Sequence, residues 1–183
     1  MHDTPAPSSW IQRWSHLLPA GGSVLDVACG SGRHVRWLHQ RGHRLTAVDR
    51  SQEAVAALQP YGEVLCADIE VDPWPFAGRN FDAVVVTNYL WRPLMETLVA
   101  SVAPGGVLLY ETFAAGNERV GRPARPDFLL QPGELLRTCA GLHIVAYEDG
   151  FLRSPDRFVQ RVAAVRETVE APGPERRQLQ PPL

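Results

Sequence analysis

Three features of the chain predict an α/β fold, a seven-stranded, mostly parallel sheet with helices on both faces and a C-terminal antiparallel hairpin. Short apolar runs of strand length alternate with amphipathic helical segments along most of the sequence. The run Ala83-Val84-Val85-Val86 is apolar at every position, as a strand buried on both faces requires. Three predicted strands end at or just before carboxylates, Asp26, Asp49 and Asp68, placing acids on the sheet edge where such folds bind ligands.

Each element follows from local signals. Ser9 is placed to cap a helix whose apolar face is Trp10, Trp14, Leu17 and Leu18, ended by Pro19 and Gly21-Gly22. Residues 23–28 form a buried strand. Residues 32–40 form a helix with Val35 and Leu38 inward, stopped at Gly42. Strand 44–48 delivers Asp49, helix 52–58 stops at Pro60, and strand 63–66 delivers Asp68. Pro73, Pro75 and Gly78 make residues 69–80 a loop. Strand 81–87 leads to a helix with Pro93 in its first turn and Leu94, Leu98 and Val102 along one side. Pro104-Gly105-Gly106 turns into strand 107–111. A loop of about twenty residues follows, long enough to suggest a function. A helix over 132–139 ends at Gly141. Strands 142–148 and 157–165, flanking Gly150 and Pro155, are close enough to pair as a hairpin.

The chain has 183 residues, enough for one domain with its own core. Residues 1–8 read as a flexible N-terminus, 9–168 as the domain, and the proline-rich stretch 169–183 as a disordered tail. No segment is long and apolar enough to span a bilayer, and the N-terminus lacks a signal-peptide pattern, so a cytoplasmic location is expected. The three cysteines are widely spaced and fit neither a disulfide framework nor a metal site. All eighteen basic side chains apart from histidine are arginine, which excludes a phosphate-loop lysine and Schiff-base chemistry. A net charge of −2 gives no strong nucleic-acid signal.

The densest cluster of signals is Val24-Leu25-Asp26-Val27-Ala28-Cys29-Gly30-Ser31-Gly32, a buried strand running into a glycine turn and a helix start. Glycines there let a ligand approach the backbone. The position a dinucleotide fingerprint would fill with its third glycine is Val35, and Asp26 sits badly beside a diphosphate. A cationic ligand suits Asp26 better, and S-adenosylmethionine carries a sulfonium and an ammonium. Asp49 can accept both ribose hydroxyls. Asp68 can accept from the adenine amine, the Ile69 amide can donate to the ring, and Arg50 or Ile69 can sandwich it. A competing role for Asp26 is to pin the glycine turn through backbone amides.

These segments, with Ala47-Val48-Asp49, Ala67-Asp68-Ile69, Phe81-Asp82-Ala83-Val84 and Ala103-Pro104-Gly105-Gly106, resemble the class I S-adenosylmethionine-dependent methyltransferases over about residues 8–165. The resemblance implies a Rossmann-like sheet and S-adenosylmethionine as cofactor. Where that family has its first glycine, this chain has Ala28. The segments Glu111-Thr112-Phe113, Gly116-Asn117, Gly121-Arg122-Pro123, 126–130 and Gly133-Glu134-Leu135 are similar to small bacterial methyltransferases of the tellurite-resistance type.

The expected cofactor contacts are Asp26, Ala28, Gly30, Gly32, Asp49, Arg50, Asp68, Ile69 and Asn88. The expected acceptor contacts are Tyr89, Trp10, Arg122 and Phe128, with a small-molecule acceptor, no metal and no legible general base. Trp10 and Trp14 are read either as a greasy helix lying on the sheet or as a lid. Arg119, Arg122 and Arg125 are either a solvated loop or a clamp for carboxylate or phosphate. His34 is expected to be structural and partly buried. Competing functions are a cofactor-binding module without turnover and a nicotinamide-dependent oxidoreductase. Oligomeric state is not legible.

Overall fold

The computed structural model describes residues 5–168 and 177–180. Strands β1 (Ser23–Val27), β2 (Arg44–Asp49), β3 (Gly62–Cys66), β4 (Phe81–Thr87), β5 (Val102–Phe113), β6 (His143–Leu152) and β7 (Arg157–Val165) form one sheet. Its order is β3-β2-β1-β4-β5-β7-β6. The first five strands are parallel, and β7 lies antiparallel between β5 and β6. The predicted seven-stranded, Rossmann-like arrangement is therefore the observed one. The reversal of strand order lies between β1 and β4, so the ends of β1, β2 and β4 open onto one crevice.

Helices α1 (Ser9–Trp14), α2 (Arg33–His39) and α3 (Gln52–Leu58) cover one face, and α4 (Met95–Ala100) and α5 (Glu134–Thr138) cover the other. Side chains alternate between these layers along each strand. Leu25 and Val27 face the α4–α5 layer, whereas Val24 faces the α1–α3 layer.

Several boundaries differ from expectation. Ser8, not Ser9, caps α1, its hydroxyl accepting from the Trp10 amide. Ser8 is itself buried, so the loose N-terminal stretch ends before it. Residues 1–4 and most of the tail lie outside the described residues. Val102 belongs to β5 and pairs with Phe81. The register then jumps to Ala83↔Val107, so Pro104-Gly105-Gly106 is an irregularity within a strand rather than a turn before it. Gly150 lies inside β6 opposite Val159, and the hairpin turn is confined to 153–156.

Candidate active site

The turn after β1 is built on left-handed backbone at Ala28 (φ 53°), Gly30 (φ 52°) and Gly32 (φ 73°). Alanine holds the first position against its steric preference, at a cost of about 1–2 kcal/mol. At Gly32 a side chain would also collide with Leu58, because a Cβ added there would lie 2.2 Å from its Cδ2. Only glycine lets α2 start where it does. The Cys29 amide donates to the Val48 carbonyl at 3.1 Å and lays the turn against β2.

Asp49 closes this junction. Its Oδ2 accepts from the Gly30 amide at 2.7 Å and its Oδ1 from the Ser51 amide at 2.9 Å. The pinning role weighed for Asp26 thus falls to Asp49, which keeps lone pairs for a ligand because a carboxylate offers about four acceptor sites.

Asp26 is 1% exposed, and its Oδ2 has no hydrogen-bond partner. Burial pushes its pKa up to about 7, with Arg33 opposing and Asp49 adding to the rise. Its neighbour His34 lies 4.0 Å away and is equally buried. The Ser8 amide donates to His34 Nε2 at 3.1 Å, which puts the imidazole proton on Nδ1, facing Asp26. Burial, seconded by Arg33, lowers the His34 pKa to about 3. The pair is therefore neutral on neutral in the folded protein at mildly acidic pH.

In front of this junction lies a cavity of about 150 Å³, lined by Ala28, Asp49, Arg50, Ala67, Asp68, Ile69, Glu70 and Tyr89. Ala28, Asp49, Arg50, Asp68, Ile69 and Tyr89 were all expected at the site, and the fold brings them together here. Asp68 Oδ1 accepts from the Glu70 amide at 3.1 Å, which shapes the turn after β3. A second cavity, about 270 Å³, is lined by Glu70, Asn88, Tyr89, Leu90, Thr112, Phe113, Pro123 and Phe128. Glu70 and Tyr89 line both cavities. The Tyr89 hydroxyl is buried without a partner, and burial beside Glu70 and Asp68 raises its pKa. Asn88 has left-handed backbone (φ 55°), which asparagine tolerates, and its amide donates to the Glu111 carbonyl.

The segment 114–131 roofs the second cavity and is tied down at both ends. Buried Asn117 donates to the Pro123 carbonyl and accepts from the Phe158 amide. Arg92 pairs with Glu134 at 2.7 Å and donates to the Asp127 and Leu129 carbonyls.

Two expected acceptor contacts are corrected. Trp10 is 1% exposed, packs edge-on against Trp14 and donates to the Val162 carbonyl, so it is core and not a lid. Arg122 is exposed and does not line either cavity; its neighbour Pro123 does. The clamp reading fails for the other two arginines as well, since Arg119 pairs with Glu118 and Arg125 with Asp127 on the exposed loop surface. Gly30 and Gly32 shape the turn without lining either of these two cavities, and buried Asp26 lines neither. An acceptor pocket built from residues 8–18, 88–92 and 112–131 is what the sequence leads one to expect. Leu90, Thr112, Phe113 and Pro123 fall within the last two segments, 8–18 contributes nothing to the lining, and Glu70 is the lining residue that sequence reasoning misses. Thr112 and Phe113 end β5 much as Asn88 and Tyr89 follow β4.

Comparison with known proteins bears on this geometry. Residues 24–106 match the methyltransferase domain family. A malonyl-[acyl-carrier protein] O-methyltransferase from Serratia marcescens is 34% identical over 53% of this chain and 40% of its own length. A tRNA U34 carboxymethyltransferase from Klebsiella pneumoniae is 29% identical over 63% of this chain and 39% of its own. The chain thus spans about two fifths of these curated relatives. The crystal structure of TehB from Haemophilus influenzae superposes with a TM-score of 0.65 at 20% identity, covering 81% of this chain and 58% of that one. At that identity the likeness is one of fold.

Proposed function

We propose, on the premise that this chain belongs to the class I S-adenosylmethionine-dependent methyltransferases, that it transfers a methyl group to a small molecule bound in the larger cavity. The observation that carries the reading is the meeting of the two cavities at Tyr89 and Glu70, the smaller lined by Asp49, Asp68 and Ile69 and the larger beside it. The donor set fits the cofactor. Asp49 has acceptor capacity left for ribose hydroxyls, and the presence of Asp68 and Ile69 in the same lining supports their offering an acceptor and a donor to an adenine edge. Asp26, buried and outside both linings, supports the turn from within rather than meeting the ligand.

S-adenosylmethionine brings an electrophile that is already activated. The protein then has to orient the acceptor and keep water away. Leu90, Phe113, Pro123 and Phe128 form an apolar wall for that purpose, and the pinned 114–131 segment holds part of it in place. The relatives' acceptors, malonyl-[acyl-carrier protein] and tRNA, are those of longer chains. The cavity here is of small-molecule size.

Titration calorimetry tests the assignment. S-adenosylhomocysteine is expected to bind and NAD to show no heat. Asp49→Ala should weaken the former by about 2–3 kcal/mol, the range for hydrogen bonds to a charged group. Tight NAD binding with no response to S-adenosylhomocysteine refutes the assignment in favour of an oxidoreductase. Cofactor binding without release of S-adenosylhomocysteine against a broad acceptor panel favours a binding module.

A further inference from the structure

We infer that the acceptor is an amine carried on a flat apolar body, and not a carboxylate- or phosphate-bearing molecule. This rests on the methyl-transfer reading above and adds the chemical class of the substrate. The composition of the larger cavity points to it. Tyr89, Phe113 and Phe128 contribute aromatic rings, Leu90 and Pro123 contribute apolar surface, and Asn88 and Thr112 contribute neutral polar groups. Glu70 is the one charged side chain among the described residues that line it. Aromatic faces beside a carboxylate favour a cation, through ring quadrupoles and direct pairing. They disfavour an anion, which would lose its hydration next to a like charge with nothing to replace it.

The nearby cations are spoken for. Arg92 is held by Glu134 and two carbonyls. Arg125 sits 5.3 Å from the Phe128 ring centroid but is neutralised by Asp127 at 2.8 Å. Arg119 pairs with Glu118, and Arg122 is exposed outside the lining. Arg50 lines the adjoining cavity, on the cofactor side. An anionic acceptor would therefore meet no guanidinium in the lining of the larger cavity itself, Arg50 belonging to the lining of the smaller one.

The chemistry balances on these groups. An ammonium acceptor gives one proton to the Glu70 carboxylate and becomes a neutral amine. The nitrogen lone pair forms the new bond to the methyl carbon. The carbon–sulfur bond breaks with its electron pair left on sulfur, and the positive charge passes from sulfur to the methylated nitrogen.

The test uses the full chain and three probes with a common ring: 2-phenylethylamine, 3-phenylpropionate and phenyl phosphate. S-adenosylhomocysteine is titrated first, so failure of the cofactor reading shows at that step, and the inference then falls with it. The probes are next titrated into protein saturated with S-adenosylhomocysteine. The amine is expected to bind at least about ten-fold tighter than either anion, the order of one desolvated cation–π contact. Glu70→Gln should erase most of that preference, and Phe128→Ala should weaken the amine several-fold. Equal or tighter binding of either anion, no measurable binding of the amine, or an unchanged preference in Glu70→Gln overturns the inference.

Discussion

Asp26 and His34 are a matched pair in which burial acts in opposite directions. Asp26 is raised from 3.8 to about 7, so the folded protein holds a proton there that the unfolded chain releases. His34 is lowered from 6.5 to about 3, so the folded protein refuses a proton that the unfolded chain takes up. Between about pH 4 and 6.5 the two effects cancel, and unfolding moves one proton from aspartate to histidine with little net uptake. Each partner removed alone exposes the slope of the other. Asp26→Asn leaves the His34 effect, so stability should fall as pH drops below about 6.5. His34→Gln leaves the Asp26 effect, so stability should fall as pH rises from about 4 to 7. Each slope should approach about 1.4 kcal/mol per pH unit, read by urea unfolding at a series of pH values. Parallel slopes in the two variants would contradict this account. Of this pair, Asp26 was expected as a ligand contact because it lies near a strand end before a glycine turn. Its pairing with His34 was not legible, since the tautomer that faces Asp26 is set by Ser8 arriving from outside the motif to donate to Nε2.

Among the elements, the three strands β5, β7 and β6 share a row of buried and half-buried charges. Glu111, Arg161 and Glu148 are direct register neighbours across them. Arg161 pairs with Glu111 at 3.2 Å and with Glu148, and its guanidinium lies 4.9 Å from the Trp10 ring centroid. Glu111 is fully buried and also receives Ser8 Oγ at 3.0 Å and Arg157 at 3.5 Å. Arg161→Ala leaves a buried carboxylate short of its main partner, and should cost about 3–5 kcal/mol in chemical denaturation. Glu148→Ala on the exposed side of the same row should cost under about 1 kcal/mol. The hairpin was legible because two strand-length runs flank Gly150 and Pro155 closely enough to pair, and they do pair. The buried acid Glu111 in β5 was not, since nothing local identifies its partner Arg161, fifty residues away in sequence. The same limit explains β5, whose start at Val102 was hidden because Pro104-Gly105-Gly106 reads as a turn unless the register jump against β4 is known.

On the scale of the whole molecule, the parallel half of the sheet supplies the smaller cavity, proposed above for the cofactor, and the 114–131 segment adds a roof over its neighbour. The first half was legible because each strand end carries its chemistry in sequence order. Of the second cavity, Tyr89, Phe128 and the long loop were legible as acceptor-side features, but Glu70 was not, because it comes from the far side of the junction, after β3. The arginines in that loop suggest an anion, whereas their acidic neighbours Glu118 and Asp127 hold two of them at the surface. Arg92 is the tether that ties roof to sheet. Arg92→Ala should accelerate hydrogen exchange at the Phe128 and Leu129 amides while costing about 1–2 kcal/mol of global stability. Unchanged exchange there would show that Asn117 and the backbone bonds at Leu130 hold the segment without Arg92.

The roof also has an architectural consequence. Ala114 and Leu130 bridge to one another, and the Ala115 amide donates to the Leu130 carbonyl, so the segment leaves and rejoins the sheet at nearly one point. Such a closed loop is a cartridge. Its length and lining can be exchanged with only a small entropic penalty and no change in strand register. Exchange confined to residues 115–129 would therefore be expected to change what lines the larger cavity at Pro123 and Phe128 while leaving the turn after β1 and the Asp49 junction as they are.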